Sequence, residues 1–285
     1  MNWMKHLSLY FILSALVILP GLYSLVRFGF KPSIEFTGGS RLTIVSVKSA
    51  PEAILTSFKD YAPLLESSDQ TSLTLKTKEI SQENVQKVLD TLKKTNPEIK
   101  LTDFETIGPA LGQETIKKTI NALIIASLLL LAYISFAFKQ LKYGLCAVLA
   151  MFHDTIVLLG SFSLLGHFLG VEIDLLFVTA VLTILSFSVH DTIVVYDRIR
   201  ELSHKHKNID YVTLINQAVT ETMARSLNNS LTIIFMLVAL FLIGGETTKY
   251  FALALLIGTI TGTYSSTFTA APLLVVWDKY FGHRK

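Results

Sequence analysis

Six long apolar stretches constrain what this 285-residue chain can fold into, because each is long enough to cross roughly 30 Å of hydrocarbon. Hydrophobic residues make up 51% of the sequence and charged residues only 16%, with a mean hydropathy of +0.51. This balance is typical of a polytopic membrane protein. We therefore predict six transmembrane helices, over about residues 8–26, 119–138, 143–166, 174–196, 226–244 and 250–277.

The distribution of basic residues predicts the orientation of these helices. The net charge is +3, but lysine and arginine cluster beside the apolar stretches, which indicates membrane orientation and gives no sign of nucleic-acid binding. If the N-terminus is cytoplasmic, the short outer loops carry only Lys249. The short inner segments then carry Lys5, Lys139, Lys142, Arg198, Arg200, Lys205, Lys207, Lys279, Arg284 and Lys285. We expect a plasma-membrane protein with both termini inside, a first span within residues 1–27, and a bundle over 119–285 that contains a cytoplasmic loop at 197–225.

Residues 28–118 are the only long polar region, and their pattern predicts a small extracytoplasmic α+β domain. Alternating apolar residues predict strands at 41–47, 71–78 and 99–107. Ser81 is placed to cap a helix whose apolar residues recur at helical spacing, and a second helix precedes the middle strand. We expect one sheet with helices on one face and no catalytic cluster.

Asp191 is the first candidate functional residue, because it lies in an apolar stretch about 10 Å before the charged residues that begin at Arg198. A carboxylate at membrane depth is costly, and such groups usually lie on ion paths. The alternative is a buried residue that only specifies helix packing. Arg225 begins the fifth span near the same depth, so it is either a plain topology anchor or an electrostatic partner of Asp191.

Two His-Asp pairs, His153-Asp154 in the third span and His190-Asp191 in the fourth, also allow an enzyme or metal-site interpretation. Adjacent residues point about 100° apart on a helix, so each pair offers at most one ligand. We therefore expect no metal, no cofactor and no enzyme activity. His153 and Asp154 are either a second polar layer of a proton path or a satisfied interhelical hydrogen bond. His190 does not share the face of Asp191.

Small residues recur every four positions in the sixth span, where they allow another helix backbone to approach closely. We expect a packing role either within the bundle or at an interface with another subunit. The ladder consists of Gly258, Gly262, Ser266 and Ala270.

Several motifs resemble the SecD/SecF family of protein translocase subunits, in the family's order and over nearly the whole chain. They resemble the SecF type in particular. The family commonly has Gly and Asp at the positions of Ser33 and Glu35, and Asn at that of His190. The matching segments are Ile34–Gly39, which is similar to DF-x-GG, Ile107–Gly112, which is similar to VGP-xx-G, Phe152–Asp154, His190–Glu201, and residues 251–253 and 262–266.

The resemblance implies a fold of the resistance-nodulation-division type, completed by a SecD partner. It implies that the chain promotes protein export after the SecA and SecYEG stage, driven by the proton motive force. Asp191, Arg225, His190, Asp154 and His153 are then candidates for proton coupling. YajC, YidC, unfolded client polypeptides and membrane lipids are further expected partners. A stand-alone exporter of lipids or small molecules is the alternative, and such exporters usually join two six-span halves.

Overall fold

The structure is a computed structural model that describes residues 2–45, 51–68, 71–206 and 209–281. The chain divides into two compact units. One comprises Met1–Lys31 and Ala122–Lys285, and the other comprises Pro32–Asn121.

The smaller unit is built around a four-stranded antiparallel sheet in the order β2-β3-β1-β4. The α+β class predicted for this region is confirmed, but the structure adds the short edge strand β2, which the pattern did not predict. The elements in chain order are α2 (Ile34–Thr37), β1 (Gly39–Val45), α3 (Pro51–Ser57), β2 (Leu64–Ser68), β3 (Ser72–Thr77), α4 (Gln82–Thr95) and β4 (Lys100–Ile107), with a 3-10 turn at Lys59–Tyr61.

One face of this sheet carries the core of the unit. Leu42 and Leu75 pair across β1 and β3, and both are fully buried. Ser81 accepts a hydrogen bond from the backbone N–H of Asn84, as its predicted capping role requires. On the opposite face, Arg41 forms a bidentate pair with Glu66 at 2.8 and 2.9 Å.

The glycine pair before β1 is required by the backbone. Gly38 and Gly39 have φ values of 71° and 121°, which side-chain-bearing residues rarely adopt. A Cβ on Gly39 would also lie 2.6 Å from the carbonyl oxygen of Thr77. Ser33 caps the short helix before the pair by accepting a hydrogen bond from Glu35 N, so the turn forms with both departures from the family motif.

The larger unit contains helices long and apolar enough to cross a membrane, and the predicted six spans are confirmed. The sixth span consists of two α-helices joined by a π turn at Ser266–Ala270. The helices are α1 (Leu7–Arg27, preceded by a 3-10 turn at Trp3–His6), α5 (Pro109–Phe138), α6 (Leu141–Leu169), α7 (Leu175–Lys205), α8 (Tyr211–Ile243), α9 (Glu246–Ser265) and α10 (Ala271–Phe281).

The predicted cytoplasmic loop at 197–225 is wrong in its extent. α7 continues to Lys205 and α8 begins at Tyr211, so helix covers most of that segment. Asp210 caps α8 by accepting a hydrogen bond from the backbone N–H of Thr213. Residues 211–225 are therefore continuous with the fifth span, because the capped helix α8 runs from Tyr211 to Ile243 without a break.

α7 lies at the centre of the bundle, where it packs against α6, α8 and α9. α1 packs closely on α6, since a Cβ on Gly21 would lie only 3.0 Å from the Cα of Gly160. Most of α5 remains exposed, and in its bundle part only Ile134 and Phe138 are buried. The central helices α6, α7, α8 and α9 are therefore the ones that can hold a polar site away from lipid.

Candidate functional site

Asp191 lies between α7 and α8, where its side chain is buried. The hydroxyl of Ser226 on α8 donates a hydrogen bond to Oδ2 of Asp191 at 3.0 Å. Among the residues that the structure describes, no lysine, arginine or histidine forms an ion pair with this carboxylate within 4.0 Å. A buried carboxylate without a salt-bridge partner is not neutralised by a fixed ion pair, so its protonation state can respond to a moving cation.

Arg225 is exposed and lies next to Ser226 along α8, so its backbone is close to the level of Asp191. Its side chain does not pair with Asp191 in this structure. Instead, Arg225 lines a groove of about 520 Å³ between the C-terminal part of α7 and the N-terminal part of α8. The groove is also lined by Ile193, Val194, Asp197, Arg198, Glu201, Glu221 and Thr222.

His153 and Asp154 form a second polar centre between α6, α7 and α9. Asp154 is completely buried, and its Oδ2 accepts hydrogen bonds at 2.6 Å from the hydroxyls of both Ser188 and Ser265. Nδ1 of His153 lies 2.9 Å from the other carboxylate oxygen. The structure therefore brings together His153 and Asp154 with polar groups from three helices.

His190 is exposed on α7 whereas Asp191 is buried, so the two side chains lie on different faces, as their spacing predicted. Its face of α7 carries further exposed polar residues at helical spacing, namely Thr179, Thr183 and Ser186. His190 therefore lies off the buried face of α7 that carries Asp191 and Ser188.

The small residues of α9 pack inside the bundle against α7. A Cβ on Gly258 would meet the Ile184 side chain at 2.2 Å, and one on Gly262 would lie 3.3 Å from the Cα of Ser188. Ser266 is completely buried at the start of the π turn. The described contacts therefore favour the internal alternative for this ladder. Because Gly262 has no side chain, it leaves room for Ser188 and Asp154 to approach each other beside α9.

Three serines at the two centres, Ser188, Ser226 and Ser265, were not singled out by sequence reasoning. The available signal was a hydroxyl residue within an apolar span, but serines such as Ser161 share it and bond only to their own helix. Which serine faces a carboxylate depends on the rotation of neighbouring helices. Within the described part of the chain, no three His, Cys, Asp or Glu side chains are grouped to hold a metal ion.

Comparisons with known proteins place this site in a family. The family model described as "Protein export membrane protein SecD/SecF, C-terminal" matches residues 87–280, and that of the "SecD/SecF GG Motif" matches residues 23–50. The "Protein translocase subunit SecF" of Thermobaculum terrenum is 40% identical, over 94% of this chain and 91% of its own length. The subunit of the same name from Anaerolinea thermophila is 36% identical, over 98% of this chain and 94% of its own.

A solved structure shows the same fold. The crystal structure of SecDF, a translocon-associated membrane protein from Thermus thermophilus, superposes with a TM-score of 0.84 at 28% identity. The match covers 98% of this chain and 39% of that longer one. SecDF in its super-membrane-facing form matches with a TM-score of 0.70 over the same shares. The chain belongs to the SecD/SecF family and is a SecF-like subunit of the protein translocase.

Proposed function

We propose that this SecF-like subunit uses the proton motive force to promote protein export, and that Asp191 is the group that carries the proton. The observation that supports this proposal is the burial of Asp191 between two helices, with a serine donor and no ion-pair partner within 4.0 Å among the described residues. Such a carboxylate can exist in a charged and a neutral form at modest difference in free energy. The membrane field, worth about 2.3 kcal/mol per charge per 100 mV, then biases a two-state bundle.

Arg225 is the proposed electrostatic control. A guanidinium close to Asp191 favours the charged carboxylate, and its withdrawal favours the neutral, protonated one. In the present structure Arg225 lies in the exposed groove that also contains Asp197 and Glu221, which corresponds to the withdrawn arrangement. Rotation of α8 about its axis would bring residue 225 toward α7, since Ser226 already touches Asp191.

Replacement of the carboxylate tests this proposal. Asp191→Asn should abolish export driven by an imposed proton gradient in membrane vesicles, because an amide fills the same volume but takes up no proton at neutral pH. Arg225→Lys should impair export partially, since charge remains without guanidinium geometry. Asp278→Asn serves as the matched control because Asp278 is exposed on α10 and does not line the groove of Arg225. Wild-type export by Asp191→Asn would refute the mechanism and leave the carboxylate a structural role.

The proposed partners are SecD, which would complete the transmembrane unit, and the SecYEG channel with SecA. YajC, YidC, unfolded client polypeptides and membrane lipids belong to the same proposal, in which the chain performs no enzymatic reaction and needs no bound cofactor. The family assignment supports SecD first, since the matching SecDF chain is longer than this one. Co-purification of the tagged chain with SecD, compared with a tagged Gly262→Leu variant, measures this association.

We also propose that both termini face the cytoplasm and that residues 28–118 lie outside. The charge distribution supports this orientation. Single cysteines can test it in a Cys146→Ser background. Thr102→Cys and Gly245→Cys should react with an impermeant reagent applied to intact cells, and Lys205→Cys should not. The opposite labelling pattern would reverse the orientation.

A further inference from the structure

The proposed role of Asp191 makes no use of the second buried carboxylate, Asp154, and its polar contacts. Asp154 receives two hydroxyl hydrogen bonds on one oxygen and faces the ring of His153 with the other. Burial of an ionised carboxylate is costly without a compensating positive charge.

His153 is the only lysine, arginine or histidine side chain with a nitrogen within 4.0 Å of this carboxylate among the described residues. Its ring is nine-tenths buried, and its second nitrogen, Nε2, has no hydrogen-bond partner within the described part of the chain. Unpartnered buried polar atoms are uncommon and call for an explanation. An imidazole held at Nδ1 by a carboxylate and free at Nε2 is arranged to take up a proton at Nε2.

The surroundings of His153 supply few other ionisable groups. From α9, the ring of Tyr264 stacks on the imidazole with centroids 6.2 Å apart. The hydroxyl of Tyr264 donates to the backbone carbonyl of Tyr10 on α1 at 3.0 Å. The π turn contributes the apolar Phe268, which packs on Tyr264. From α7 come Ser188 and, one turn further along, Asp191.

We propose that the His153–Asp154 pair is a second proton-binding site, with Nε2 of His153 as the atom that binds the proton. Uptake forms one N–H bond and changes the charge of the pair from −1 to zero, and release reverses both changes. This inference rests on the proposed proton coupling and deepens it. Ser188, which binds Asp154, lies about 4.5 Å along α7 from Asp191. The two carboxylates therefore contact the same stretch of α7, and repulsion between their negative charges means that a proton at one centre favours ionisation of the other.

Nitrogen NMR of the histidine rings tests the proton-binding step without any export measurement. The full chain with its SecD partner would be labelled with ¹⁵N-histidine, and the His153 signals assigned by their loss in His153→Gln. Between about pH 8 and 5, Nε2 should change from a bare to a protonated ring nitrogen. In Asp154→Asn the protonated signal should be lost under the same conditions. His190→Gln, on the exposed face of α7, is the matched control and should leave the His153 signals unchanged.

An export assay then tests whether this proton is used. Export driven by an imposed proton gradient should fall at least about tenfold in His153→Gln. Ser163→Ala is the control for loss of a buried polar group on α6, and it should export normally if folded. Unchanged nitrogen signals across the pH range would overturn the proposal, as would normal export by His153→Gln. The NMR experiment needs no transport, so it would still detect proton binding at His153 if Asp191 did not carry the proton.

Discussion

The contact between Gly160 and Gly21 supports a quantitative prediction about the seam between α1 and α6. In Gly160→Ala, the new Cβ would lie 2.5 Å from the Cα of Gly21, whereas ordinary contacts begin at 3.4 Å. Both groups belong to helix backbones, so no side chain can rotate away and the helices must separate by about 0.9 Å. One turn further along, the hydroxyls of Ser24 and Ser163 lie 2.7 Å apart. The same displacement would stretch that hydrogen bond beyond its 3.5 Å limit.

The expected cost combines both effects. Overpacking in a well-packed contact costs about 1–3 kcal/mol, and an interhelical hydrogen bond in a membrane is worth about 0.6 kcal/mol. We therefore expect Gly160→Ala to lower the free energy of unfolding by about 2–3 kcal/mol. The measurement is equilibrium unfolding by steric trapping in bicelles. Gly245→Ala is the matched control, because no atom lies within 4 Å of its new Cβ among the described residues. If Gly160→Ala lowers the free energy of unfolding by less than about 0.5 kcal/mol, the contact between α1 and α6 is not rigidly packed and the reasoning is refuted.

Three further substitutions test other parts of the fold. Gly262→Leu should reduce the folded yield in detergent far more than Leu256→Ala, since it forces α9 away from α7; equal yields would mean that the ladder is not packed. Phe58→Ala should destabilise the small unit by about 3–5 kcal/mol, whereas Leu64→Ala, at 67% exposed, should cost little in the same thermal unfolding scan. Asn216→Ala removes the acceptor of a buried backbone N–H in the N-terminal turn, so hydrogen exchange there should accelerate by about tenfold or more; unchanged exchange would contradict that contact.

The spans of the bundle could be predicted because membrane-crossing length and apolar composition are local properties of the chain. Their ends could not, because α7 continues past Tyr196 through charged residues that are good helix formers. The edge strand β2 was missed for a related reason. Leu64–Ser68 is short, pairs only with β3 and buries none of its side chains, so it lacks the alternation that marks a half-buried strand.

The functional candidates could be predicted from the free-energy cost of placing a carboxylate in an apolar stretch. The geometry of their surroundings could not be predicted. A carboxylate in an apolar stretch identifies Asp191 and Asp154 from the sequence alone, because burial of either is unfavourable. The serines that donate hydrogen bonds to them lie 34 to 111 residues away in the sequence and on other helices. The exposure of Arg225 likewise depends on the rotation of α8. Its pairing with Asp191 stays a prediction.

α1 connects the bundle to the smaller unit, and its contacts limit how the bundle can rearrange. In the turn before α1, the backbone N–H of Met4 binds Asn216 of α8. α1 itself packs through Gly21 on Gly160 of α6, and four residues past its C-terminus the carbonyl of Lys31 accepts a hydrogen bond from Ile173 N, just before α7. α5, the other connection, is largely exposed along its bundle part. Any movement of α8 against α6 therefore has to displace α1 or break one of these contacts, and displacement of α1 reaches the smaller unit directly at residue 32.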